Sequence, residues 1–465
     1  MGRSVYADQS TEAYLKNLLQ KNQWYVGLIL GQLTQQRDYV LRLARTPDPA
    51  EDEACEESED SGMQSSKELK EPSPRPASLS DAEDKWVATH AKQVTRMLPG
   101  GLNVIGIFAI APAKMLKDSQ GKLRELAFAA QRAVTKNMPA LPADSIGDRI
   151  ILQVDKISSK ILCSSIDVSD LKSTMRPAEW KYQSFPTRWI RLDACISIDQ
   201  SFSVPAETKH MPLLKEIQQA ISPFCKDIWR STAMVNGEIR DFHELLIGED
   251  AKKKGKGRDA DHCPRESFKV DFMMPLSGSD NILDPKVIEA KELVSVRGII
   301  VCRAFVNRKS SVQDGLEAIK TDVVRNLCAR CELLCEDIEV VGELTETRQL
   351  FDAPVRVFAP VAESGVDLCD YMFQDEKTEE VLERIKELTD VDVETDKLEL
   401  DCERPARDSD WDKISSSEYN LSSLQEDCKT GTKQSRFCFI LGAVLSGTIA
   451  VAAAAMSFYL TQEAT

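Results

Sequence analysis

Cysteine and histidine are the side chains of this 465-residue chain that could bind a metal or attack a carbonyl, and their spacing narrows what they can do. The thirteen cysteines follow no repeating interval, and the densest group is Cys328-x-x-Cys331-x-x-x-Cys335. On a helix these thiols approach one face and could ligate zinc, but no histidine lies near to complete four ligands. Cys331 also continues an apolar stripe, so the group reads as buried structural thiols. A redox Cys-x-x-Cys belongs at a helix start, where the dipole lowers the thiol pKa, whereas this one falls mid-helix. His90, His210, His243 and His262 form no local metal pair. A dyad assembled from distant residues, Cys225 or Cys263 with His243 or His262, stays open on spacing alone. Gly298, Gly315 and Gly365 compose neither a Walker loop nor a dinucleotide fingerprint, so nucleotide hydrolysis has no phosphate cradle. No metal or cofactor is expected.

The stretch Met97-Leu-Pro-Gly-Gly-Leu-Asn-Val-Ile-Gly-Ile-Phe-Ala-Ile-Ala-Pro112 is more telling. It resembles the active-site strand of the MPN (JAB/JAMM-like) metalloprotease family, in which Gly-Trp-Tyr-His-x-His-Pro carries two zinc-binding imidazoles. Gly106, Phe108 and Pro112 fit that frame, while Ala109 and Ala111 stand at both histidine positions. The family's upstream glutamate falls on Trp24, ahead of Gly27-Leu-Ile-Leu-Gly31, and its downstream Ser-x-x-Asp falls on Ser119 to Lys122. A methyl, an indole and an ammonium cannot hold zinc or activate its water. The resemblance implies an MPN-like α/β sandwich lacking the zinc ligands, an enzyme fold kept for binding.

The elements that position these residues follow from periodicity. A short helix over 11–20 precedes two apolar runs, 24–30 and 39–44, that read as a hairpin. Residues 48–60 then hold eight acids and no base, and the tract to 80 is rich in Ser, Pro and Glu, a composition that cannot build a core. Trp86, Val87, His90, Val94 and Met97 recur near one helical face before the strand described above, and Leu123, Leu126, Ala127, Ala130 and Val134 mark an amphipathic helix after it. Beyond 145 the pattern predicts strands at 149–154, 160–168 and 187–203, a helix at 212–229, strands at 267–274 and 293–306, and a long helix carrying Val312, Leu316, Ile319, Val323, Leu327, Cys331 and Leu334. Strands at 355–359 and 366–373 and a helix at 378–388 complete that half. The organisation expected is α/β throughout: an MPN-like unit over 1–144 with an acidic insertion at about 48–80, and a second α/β domain over 145–389 with a basic loop at about 249–262. An acidic tether over 390–436, a transmembrane helix over 437–460 and a lumenal tail over 461–465 follow.

Charge and hydropathy set the surroundings. A formal charge of −16 and the lack of an extended basic stripe argue against nucleic acid as a partner. The run Lys252-Lys-Lys-Gly-Lys-Gly-Arg258 reads as a solvated loop. Scattered cysteines in a long chain fit reduced thiols facing the cytosol. From Phe437 to Leu460 no residue is charged, and as a helix this stretch rises about 36 Å, enough to cross a hydrocarbon core of about 30 Å. Lys429, Lys433 and Arg436 precede it, so the positive-inside bias keeps the large part cytosolic and predicts a tail-anchored protein in the lipid bilayer.

Taken with Arg176-Pro-Ala-Glu-Trp-Lys-Tyr-Gln-Ser184, the Cys302-Arg-Ala strand, Arg330-Cys331-Glu332 and Leu368-Cys-Asp-Tyr371, the chain resembles the odorant-response-abnormal protein four family over essentially its whole length. That resemblance implies a single-pass endoplasmic-reticulum protein that is not an enzyme and that helps polytopic membrane proteins, including odorant and other G-protein-coupled receptors, reach their destination. It also implies recruitment of the ubiquitin-fold-modifier-specific cysteine protease to the membrane, through pairing of two MPN-like units. The expected contact comprises Trp86, Val94, Met97, Leu102, Val104 and Phe108, on the helix before the metal-ligand strand and on the strand itself. The alternative is an enzyme using a thiol of the second domain.

Overall fold

The computed structural model describes residues 3–35, 37–49, 75–136, 146–183, 187–205, 211–247, 266–274, 290–341, 349–362, 364–403 and 448–452. Two sheets organise it. The first is built from β1 (Ser4–Asp8), β2 (Tyr25–Gln32), β3 (Arg37–Arg45), β4 (Asn103–Ala111), β5 (Asp148–Asp155), β6 (Ile161–Asp167), β7 (Arg176–Pro177) and β8 (Glu179–Gln183), in the order β7-β6-β5-β4-β2-β3-β1-β8. Its two outermost strands are one segment interrupted at Ala178. The Ala178 amide donates to the Cys163 carbonyl at 3.0 Å on one side, and the Glu179 amide donates to the Arg3 carbonyl at 2.9 Å on the other. The Arg176-Pro-Ala-Glu-Trp-Lys-Tyr-Gln motif is thus the stave that closes the sheet into a barrel, which removes the open edges a flat sheet would carry.

Alternation along the strands sorts side chains to the two faces. Inside lie Val5, Ile29, Val40, Leu43, Ile105, Phe108, Ile110, Ile150 and Leu152, capped by Leu15 and Leu18 of α1 (Gln9–Gln20). Outside, Leu28, Leu30, Ile107, Ala109, Ala111 and Ile151 pack with the apolar stripes of α2 (Asp84–Arg96) and α4 (Gln120–Lys136), the short α3 (Ala113–Asp118) linking strand to helix. This sheet runs straight through the boundary expected at 144–145, because β5 pairs parallel with β4 and the barrel cannot close without β5 to β8. The insertion expected to reach residue 80 ends sooner: Leu79 and Ala82 are fully buried in the outer core, and Leu79–Asp81 form a 3-10 turn. Residues 50–74 lie outside the described residues.

The second sheet is dominated by a long antiparallel ribbon of β9 (Trp189–Pro205) and β12 (Ala290–Asn307), in register from Trp189 opposite Asn307 to Val204 opposite Glu292, with a one-residue shift before Ala290 meets Pro205. β10 (Thr232–Val235) and β11 (Ser267–Met273) extend one side, and α5 (Leu213–Arg230) and α6 (Val312–Val341) bury their apolar faces against it. The remaining elements do not stay with that sheet. β14 (Val355–Pro360), β15 (Asp367–Met372) and α7 (Thr378–Thr389) send Val357, Leu368, Val381 and Ile385 into the outer core of the barrel. The tether expected from 390 begins later, since Val391, Leu398 and Glu403 are buried.

Of the expected transmembrane helix, only β16 (Thr448–Ala452) is described, as a strand between β12 and β13 (Gln349–Asp352). In these five residues β-branched Thr448, Ile449 and Val451 suit a strand. The rest of 437–460, the tail 461–465, residues 404–436 and the basic loop 249–262 lie outside the described residues. Among the described residues no helix is long and apolar enough to cross a membrane.

Candidate functional site

The corner marked by the metalloprotease-like strand is filled with side chains that pack. Ala109 and Ala111 are both fully buried at the end of β4. Antiparallel pairing sets Tyr25 opposite Ile110, which brings Trp24 level with Ala111. The Trp24 ring meets Trp86 of α2 edge to face, with centroids 6.2 Å apart, and the Arg75 guanidinium lies 5.1 Å over it. Arg75 also donates to the Trp24 carbonyl and pairs with Asp48 at 2.6 Å, while Trp86 Nε1 donates to the Pro47 carbonyl at 2.8 Å. Lys122 is held by Asp84 at 2.7 Å, on the same helix as Trp86. Among the described residues no three of His, Cys, Asp and Glu stand close enough together to hold a metal ion. The corner offers aromatic faces and ion-paired side chains at the positions matched to the metal ligands.

The thiols are equally committed to packing. Cys225 of α5 and Cys328, Cys331 and Cys335 of α6 belong to the core beneath the second sheet. A hydrogen bond with Cys225, then burial, pushes the Cys328 thiol well up; burial first, then neighbouring thiols, raises Cys331, and burial with nearby carboxylates takes Cys335 to about 12. Cys195 has an exposed side chain on β9, yet the protein around it still raises its thiol to about 11. Of the dyads left open by sequence, Cys225 is 1 % exposed while His243 sits in an exposed turn; His210, His262 and Cys263 lie outside the described residues. A buried thiol held protonated is a poor nucleophile.

What the sequence motifs do build is a buried polar junction between the two sheets, centred on Asp322 of α6. Its carboxylate accepts from both terminal nitrogens of Arg356, at 2.6 and 2.9 Å, from the Gly100 amide at 2.9 Å and from the Arg303 amide at 2.8 Å. Burial opposes the Arg356 charge, and Asp322 outweighs it, so the guanidinium stays protonated. Arg303 pairs with Asp367 at 2.7 Å and with Glu399 at 2.9 Å; Arg330 bonds Glu403 and, through Nε, Asn326 at 2.8 Å. Arg325 donates to the carbonyls of Leu98 and Leu102, each at 3.0 Å.

The Met-Leu-Pro-Gly-Gly segment is shaped by this junction. A Cβ at Gly100 would sit 2.1 Å from the Ala318 carbonyl oxygen, and Gly101 adopts φ +79° with the Phe305 carbonyl oxygen 2.2 Å from where a Cβ would be. The Met97 carbonyl accepts from the Cys369 amide at 2.9 Å, which ties in Leu368-Cys-Asp-Tyr371. Four of the five motifs therefore meet here, and the fifth closes the barrel. Sequence reasoning did not find Asp322, Arg356, Glu399 or Glu403. The signal was present in α6, where Asp322, Arg325, Asn326 and Arg330 fall among apolar residues at spacings that share one side.

The contact surface expected on α2 and β4 is corrected. Val94, Leu102 and Phe108 are 0 % exposed, Met97 2 % and Val104 5 %, and Trp86 is partly buried against Trp24. The stripe of α2 is covered by α4 and by α7, and Phe108 points into a barrel whose strand β4 has neighbours on both edges. None of the five can touch another protein without unfolding this one.

Comparison with known proteins places the chain. The "Odorant response abnormal 4-like" family profile matches residues 27–400. A protein odr-4 homolog of Xenopus tropicalis is 30% identical over 470 residues, spanning 99% of each chain. One of Gallus gallus is 34% identical over 409 residues, 86% of this chain and 87% of that one. Among solved structures, the crystal structure of UfSP from C. elegans aligns over 84% of this chain and 57% of that one, with a TM-score of 0.41 and 11% identity. By the extent of the profile match and by these full-length relatives, the chain belongs to the odorant response abnormal 4-like family.

Proposed function

We propose that this protein is a non-catalytic adaptor, anchored by its tail in the endoplasmic-reticulum membrane with the folded part in the cytosol. It recruits the ubiquitin-fold-modifier-specific cysteine protease and supports the folding or trafficking of polytopic membrane proteins, odorant and other G-protein-coupled receptors among them. The barrel in this reading is an MPN-like unit that has exchanged metal ligands for packing. The observation that carries it is family membership across residues 27–400, joined to a corner in which Trp24, Ala109, Ala111 and Lys122 leave nothing to activate a water. The alternative, a thiol enzyme, finds no support in Cys328, Cys331 or Cys335, all buried and pushed toward the neutral form. Loss of the α2 and β4 surface moves protease recruitment to another face and leaves the reading otherwise intact.

The test is affinity purification of the amino-terminally tagged full-length chain from detergent-solubilised membranes, beside a chain truncated after Gln434, with quantitative mass spectrometry of the proteins recovered with each. Near-stoichiometric protease with both chains is expected. Absence of the protease from both would remove the recruitment claim, and recovery with the full-length chain alone would move the contact to the segment after Gln434.

A further inference from the structure

Among the described residues, no helix covers one sector of the barrel on its outer side. The outward positions of β3, β1 and β8 line up across three neighbouring strands: Tyr39 is in register with Tyr6, and Tyr6 with Lys181; Arg37 is in register with Ser4, and Ser4 with Glu179. Arg37 and Glu179 are exposed, and Ser4, Tyr6, Tyr39 and Lys181 only half-buried, whereas the outward residues of β2, β4 and β5 lie under helices. The rings of Tyr6 and Tyr39 stack with centroids 6.2 Å apart and planes 29° from parallel. The Arg37 guanidinium lies 5.4 Å and the Lys181 ammonium 6.0 Å from the Tyr6 centroid, so two cations lie against one aromatic ring.

The charge of this sector sets its occupant. Neighbouring arginines are neutralised inside the chain: Arg3 by Asp38 and Asp148, Arg176 by Asp148. Arg37 meets no carboxylate among the described residues, and Lys181 has only Glu179, at 2.7 Å, both of them largely in water. An exposed ion pair of that kind is worth about 0.2–1 kcal/mol and exchanges readily for another carboxylate. The aromatic step is thus flanked by a guanidinium that meets no carboxylate among the described residues, in a chain of net charge −16. Beyond a Debye length of about 8 Å the rest of that negative charge is screened. We propose that the open β3–β1–β8 face docks a segment of a partner protein rich in Asp and Glu with interspersed apolar side chains, the carboxylates pairing with Arg37 and Lys181 and the apolar groups lying on Tyr6 and Tyr39. A single-stranded nucleic acid would stack on the tyrosines too, but its phosphates need a run of cations, and here one of two is countered by Glu179.

The inference stands apart from protease recruitment, and its test contains no protease. Full-length protein in detergent is titrated into three fluorescent probes: a 15-residue peptide alternating Glu with Leu and Phe, the same peptide with Lys for Glu, and a 15-nucleotide single-stranded RNA. The acidic peptide is expected to bind, more weakly as salt rises, and about tenfold more weakly to the R37E/K181E double variant. Lys16→Glu, a reversal on the exposed side of α1, should leave binding unchanged. Thermal melting of R37E/K181E guards against a folding defect; Tyr6→Ser tests the stack, and if it does not fold the charge reversal alone decides. Failure of the acidic peptide to bind, equal binding by R37E/K181E, or preference for the lysine peptide or RNA would overturn the proposal.

Discussion

Asp322 is the residue on which most depends, because it answers one buried guanidinium and two backbone amides at once. Removing one partner of a buried pair strands the other, at a cost of about 3–5 kcal/mol. Asp322→Leu and Arg356→Met should therefore each lower the chemical-denaturation midpoint sharply. The double variant should be no worse than either single, since of the two amides only that of Arg303 loses its acceptor, the Gly100 amide keeping the Arg303 carbonyl at 3.0 Å. Additive losses would show that the pair is not coupled. His90 gives a pH signature. Its ring lies between the Thr46 hydroxyl at 3.1 Å and the Leu388 carbonyl at 2.8 Å, and burial lowers its pKa from 6.5 to about 4. The unfolded chain binds this proton more readily, so stability is complete above the unfolded value and drains away as pH falls toward the folded one. Between pH 7.5 and pH 5 His90 should cost about 2 kcal/mol, at about 1.36 kcal/mol per unit. Asp370 works the other way, burial raising it to about 6, so its share of stability is gained as pH falls. His90→Gln should flatten the acid limb measured by denaturant midpoint at the two pH values; an unchanged limb would clear His90 of the effect.

Elements with a strong local period were legible in the sequence, and those defined by distant partners were not. The helix carrying Val312 to Leu334 and the ribbon strands appear within a few residues of where apolar spacing puts them, because one face of each meets one core. β1 was missed: five residues with only Val5 and Ala7 turned inward make no pattern until β3 and β8 flank them. The α2 stripe reads in sequence as a surface for a partner because spacing shows an apolar face but not that α4 and α7 already cover it. Closure by Arg176 to Gln183 hangs on backbone donors at Ala178 and Glu179. Ala178→Pro would delete one of them, so amide exchange by mass spectrometry should quicken in β6 and β8 by tenfold or more while the β9–β12 ribbon keeps its protection. Equal quickening in both sheets would mean the barrel and the ribbon unfold together.

At the scale of the molecule, the chain does not divide where composition changes. β14, β15 and α7 cross back to the barrel, and the stretch to Glu403 supplies counter-charges to Arg303 and Arg330. A soluble chain ending after Thr389, the boundary composition favoured, should be proteolysed rapidly or accumulate poorly. One ending after Glu403 should resist limited proteolysis with a clearly higher melting temperature. Equal behaviour would show that Glu399 and Glu403 add little to the junction.

Barrel closure also bears on how the protein is made. A chain emerges from the ribosome amino end first, yet β1, which precedes the other strands of its sheet, lies parallel between β3 and β8, and its second neighbour is drawn from residues 179–183. Until those residues leave the ribosome, β1 can pair on one side only and β6 has no partner on its outer edge, the condition in which nascent strands find wrong partners. The last counter-charge of the junction, Glu403, arrives far later still. Crowded synthesis should therefore tax this protein through the waiting time of β1: slow codons read before residues 179–183 have cleared the ribosome would add to that burden, and a pause only once they have cleared it would ease it.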